Sequence, residues 1–113
     1  MEDSVKKHLE DILIAIDEIG VFFETLPKKY DEFVGNLLLR RAVERNIEII
    51  GEAMNRVLKE DSTISITNAR KIVDTRNYII HGYDTLAPDI LWSIVVNHLP
   101  LLKKEVQTLL QPH

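Results

Sequence analysis

The sequence predicts an all-α protein, an up-and-down bundle of four main helices, and three observations carry that expectation. Apolar residues recur at spacings of three and four along most of the chain. No segment shows the apolar–polar alternation of a half-buried strand. Only four glycines and four prolines interrupt 113 residues of which 45% are apolar, a composition that supports continuous helices around one core. The length fits a single domain spanning residues 1–113.

In the first segment Val5, Leu9, Ile12, Ile16, Ile19 and Phe23 share one face, with Asp3 or Ser4 as cap and a break expected at Leu26-Pro27. The second is expected to run unbroken from about Asp31 to Lys59. Its seam is Phe33, Leu37, Val43, Ile47, Ile50, Met54 and Val57, and opposite it runs a polar stripe of Arg41, Arg45, Glu48, Glu52, Asn55 and Lys59. Gly51 weakens the interior of this helix, which suggests that another backbone approaches closely there. The third segment starts near Ser65 or Thr67 and runs to about His81, where Gly82 can end it in the left-handed conformation. Pro88 and Asp89 suit the first turn of the fourth, which carries Leu91, Val95, Leu99, Leu102, Val106 and Leu109 and should kink at Pro100.

Composition excludes several classes of chemistry. With no cysteine, disulfides, thiolate metal sites and cysteine nucleophiles are ruled out. No run approaches the roughly 20 apolar residues of a membrane span, and the N-terminus lacks the apolar core of a signal peptide, so a soluble cytoplasmic protein is expected. His8, His98 and His113 have no ligand-spaced neighbours, and His98 is expected to pack in the core or an interface. Trp92 and Tyr78 read as packing residues. The net charge of −4 disfavours a general nucleic-acid binder. It is unevenly spread: residues 1–32 hold nine acids and four bases, residues 40–81 eight bases and six acids.

The stretch RNYIIHGY, residues 76–83, concentrates the polar chemistry. Arg76 lies in the apolar stripe of the third helix, between Val73 and Ile80, so it points toward the packed side and needs an anionic partner. Glu48 and Glu52 are the candidates. His81 lies five residues on, about 140° around an ideal helix, so the two side chains would not share a face within one chain. Taken alone, His81 reads as a cation at a helix C-terminus.

Arginine, four residues, histidine, one residue, tyrosine forms a three-point pattern. Together with Asn77 after the arginine, the segment IEIIGEAMNRVL and the acidic first helix, it resembles the HEPN superfamily. Within that superfamily it is most similar to HepT-like toxins paired with MntA-type nucleotidyltransferase antitoxins. The resemblance spans essentially the whole chain. It implies a homodimer in which Arg76 and His81 of both chains line one cleft, with Asn77 supporting. It also implies cleavage of RNA, transfer or messenger, without metal or cofactor, leaving a 2′,3′-cyclic phosphate. Tyr83 would be the residue that the antitoxin adenylylates to silence the toxin, and Tyr78, inside the spacer, would not.

The implied chemistry is physically coherent. The 2′-hydroxyl of RNA is an internal nucleophile, so the substrate supplies proximity itself. An imidazole titrates near neutrality and suits proton transfer, while a guanidinium matches phosphate geometry and keeps its charge. AMP on Tyr83 would fill the cleft with bulk and negative charge. The other functional class that fits these residues is a non-catalytic helical module that binds nucleotide or the nucleotidyltransferase.

Overall fold

The computed structural model describes residues 1–81 and 87–112, and every regular element among them is helical. They are α1 (Asp3–Phe22), α2 (Tyr30–Val34), α3 (Leu37–Glu60), α4 (Ala69–His81), α5 (Pro88–Ser93) and α6 (Leu99–Leu110), with one π-helical turn, Ile94–His98, joining the last two. No helix among the described residues is long and apolar enough to cross a membrane.

Helix α3 is the centre of the arrangement. Its 24 residues correspond to a rod of about 36 Å, close to the 43 Å long axis of the molecule. Helices α1 and α4 both pack along it, and α6 packs on α1. Leu9, Ile12, Val43, Met54, Val57 and Val106 are completely or almost completely shielded from solvent at their junction. The buried amide of Asn46 fastens α3 to α1, donating to the Ala15 carbonyl at 3.0 Å and to Glu18 Oε1 at 3.1 Å.

Three boundaries differ from expectation, each for a local reason. Asp3 is the first helical residue rather than a cap, and Ser4 Oγ donates instead to Glu60 Oε1 at 2.7 Å, tying the start of α1 to the end of α3. The second expected helix is two, because Asn36 is extended and its Oδ1 accepts from Leu39 N at 3.0 Å, capping a new helix. This cap resets the phase: Leu37, expected in the seam, is 57% exposed, and Leu39 is buried in its place. The third helix begins at Ala69 because Asn68 takes φ 58° and Thr67 is held by Glu105, which accepts from both its N–H and its hydroxyl at 3.1 Å.

The bend expected at Pro100 takes the form of the π turn just before it. Proline cannot donate to the carbonyl four residues back, and its ring crowds that carbonyl, so the preceding turn widens. Trp92 packs as expected, its ring 5.3 Å from that of Phe33 and 6.1 Å from those of Phe23 and Tyr30. His98 is exposed and Tyr78 is 43% exposed, on the outer sides of their helices, so of the two places expected for His98 the core is excluded.

Candidate functional site

The site is built where α4 crosses the middle of α3. Val73 is buried against the core, and one turn later Arg76 follows on the same side of α4. Its backbone comes so close to α3 that only glycine fits opposite. A Cβ at Gly51 would collide with Cβ of Arg76 and lie 3.0 Å from the Ile72 carbonyl oxygen. The close approach expected at Gly51 is thus made by the arginine of the motif.

Two residues hold the Arg76 guanidinium. Nη2 pairs with Glu52 Oε2, and Nη1 donates to Asn77 Oδ1 at 2.9 Å. Of the two candidate partners, Glu52 takes the arginine, while Glu48 pairs with Arg45 at 3.2 Å on its own helix. The Arg76 side chain is 23% exposed and that of Glu52 37%, so the ion pair is only partly desolvated. Arg76 Nε is buried without a hydrogen-bond acceptor among the described residues. The guanidinium forms part of the wall of a cleft of about 550 Å³ between α1, α3 and α4, whose lining includes Glu18, Arg45, Glu52 and Arg56.

Helix α4 is continuous to His81, so histidine and arginine remain on one regular helix, about 7.5 Å apart along its axis. His81 is exposed and is not among the residues lining the Arg76 cleft. Within one chain the structure brings together Arg76, Asn77 and Glu52, and it leaves His81 outside that cleft. Tyr83, and the proposed helix stop at Gly82, lie outside the described residues. Among the described residues no three His, Asp or Glu side chains converge on a site that could hold a metal ion.

Sequence reasoning did not foresee Arg56. Glu52 Oε1 accepts from Arg56 Nε at 3.2 Å, so one carboxylate serves two arginines. The signal was present as an i, i+4 pair on the polar stripe, but that spacing alone cannot reveal that a third side chain arrives from another helix.

Comparison with known proteins adds to this geometry. A family model described as "Ribonuclease HepT-like" matches residues 12–109. The chain is 37% identical over 105 residues to "Putative RNase MJ1380" of Methanocaldococcus jannaschii, covering 91% of this chain and 94% of that protein. It is 34% identical over 83 residues to "Putative RNase TTE0752" of Caldanaerobacter subterraneus subsp. tengcongensis, covering 73% and 74%. It is 30% identical over 110 residues to "Probable ribonuclease HepT" of Thermococcus cleftensis, covering 96% and 98%. No solved structure gives a significant match.

Proposed function

The chain belongs to the HepT-like ribonuclease family of the HEPN superfamily, and from that premise we propose that it is an endoribonuclease, the toxin of a toxin–antitoxin pair. One observation carries the reading on this chain. The motif arginine is fixed at a cleft by a glycine-sized contact and a carboxylate, leaving a positioned cation where an RNA phosphate could bind. Arg76 would hold and neutralise the scissile phosphate, His81 would move the proton of the attacking 2′-hydroxyl, and Asn77 would orient Arg76 through the Nη1 hydrogen bond. As the 2′-oxygen bonds to phosphorus the P–O5′ bond breaks, and the proton taken up by His81 passes to the departing 5′-oxygen. The products in this metal-free scheme are a 2′,3′-cyclic phosphate and a 5′-hydroxyl.

The divergence of Arg76 and His81 around α4 favours a site completed by a second copy of this single-domain chain. Tyr78 and Ile80, 43% and 42% exposed beside the motif, supply an apolar surface suited to that contact. A nucleotidyltransferase antitoxin would silence the dimer by adenylylating Tyr83. The test is incubation of the unmodified protein with total transfer RNA and a chelator, beside His81→Ala. The expected result is new fragments with cyclic phosphate ends from the unsubstituted protein only. RNA left equally intact by both, with no AMP found on Tyr83 by mass spectrometry, would sink the toxin reading for this substrate class.

A further inference from the structure

Arg56 is no part of the arginine–histidine–tyrosine pattern, yet it is the side chain that shares an anion with Arg76. Its Nε lies 3.2 Å from one oxygen of Glu52 while Arg76 Nη2 meets the other, and all three residues line the same cleft. The other carboxylates of the α3 stripe each serve one arginine: Glu44 pairs with Arg41 and Glu48 with Arg45. Two guanidiniums share this one carboxylate, so the Arg56–Glu52–Arg76 trio carries one positive charge beyond it, within a cleft that Asp11, Glu18, Glu48 and Arg45 also line. A phosphodiester offers a guanidinium fork the same pair of anionic oxygens as a carboxylate does.

We propose that Arg56 is a second phosphate-binding residue of the site, gripping the RNA backbone together with Arg76 while Glu52 spaces the two guanidiniums. The proposal rests on the ribonuclease reading for the identity of the phosphate, and on the shared carboxylate for the choice of residue. The Arg56 side chain is 59% exposed, so it can turn from Glu52 to a ligand without unpacking the core. Arg76, held by α3 below and Asn77 beside it, supplies the fixed point, and Arg56 supplies the adjustable one.

The experiment measures binding of a fluorescent single-stranded RNA by anisotropy across a salt series, in the His81→Ala full-length protein so that the probe stays intact. Arg56→Ala is expected to weaken binding about tenfold at low salt. It should also reduce the slope of log Kd against log salt by about 0.7, the share of one phosphate on a single strand. Arg56→Lys, which keeps the charge, should retain most of that slope. Arg70→Ala removes an equal charge from an exposed position outside the cleft and should change the slope little. An Arg56→Ala slope equal to that of the parent, or matched by Arg70→Ala, overturns the proposal. So does failure of the parent protein to bind the RNA at all. Binding without cleavage by the His81-containing protein overturns the ribonuclease reading alone and leaves the two-arginine grip standing.

Discussion

Helix α3 buries nine of its 24 residues, whereas α4 buries only Ala69 and Val73 of its 13. The first is gripped along its length by α1 and α4, with Asn46 satisfied internally, and it defines the core. The second is attached through Ala69, Ile72, Val73 and Ile79, the contact at Gly51 and the Arg76–Glu52 pair, and on its other side it turns Tyr78, Ile80 and His81 outward. The two helices divide the labour. The hub helix holds the fold, and the less buried helix carries the Arg76–His81 motif, with Arg76 positioned against the hub at Gly51 and Glu52.

Substitutions should therefore separate by helix. Met54→Ala, in a fully buried position of α3, is expected to cost about 3 kcal/mol in a urea titration, as large-to-small core changes do. Activity should fall only as the folded fraction falls. A comparable large-to-small change on α4, Ile80→Ala, should stay within about 0.5 kcal/mol, because that side chain is 42% exposed. Equal losses for the two would erase the contrast between the helices.

Gly51→Ala tests the point where the helices meet. The added methyl cannot coexist with Arg76 Cβ, so α4 must shift, at about 1–3 kcal/mol. Cleavage should fall well beyond the loss of folded protein, since the shift moves Arg76 itself. An activity loss that merely follows stability would show that the position of α4 is not critical. Below this in size comes Asn46→Ala, expected to cost about 1–2 kcal/mol by leaving the Ala15 carbonyl without its buried donor.

Most of the all-helical architecture was legible in the sequence, because burial follows the spacing of three and four at Leu9, Ile12, Val43, Met54 and Val106. The break at Gly35-Asn36 was not, since a capping side chain competes with helix continuation at a cost that periodicity does not register. Arg76 was legible as a cation facing the packed side of its helix, and Glu52 as one of two acids that could reach it. The choice between Glu48 and Glu52 depends on the crossing of two helices, which no single-helix pattern encodes. Gly51 announced a close approach but not its partner. That His98 stays out of the core was not legible, because the short window around Leu99 does not reveal which side of the helix remains open.

Glu52→Gln acts where the two helices share a single carboxylate. The substitution keeps the size of the side chain and removes its charge, so packing at the crossing of α3 and α4 is preserved. Glu52 is 37% exposed and Arg76 23%, so solvent screens much of the attraction, and the expected stability loss is about 1 kcal/mol or less, shrinking as salt is added. The effect on the site should be larger than the effect on the fold, because the amide holds two guanidiniums more weakly than the carboxylate did. Measured by urea titration beside RNA cleavage, a small shift in midpoint with a clear fall in turnover is the expected pair. A loss near that of Met54→Ala would mean that α4 depends on the ion pair for its attachment. Glu52 would then belong to the hub's structural work, and the division between the two helices would have to be redrawn one residue closer to the motif.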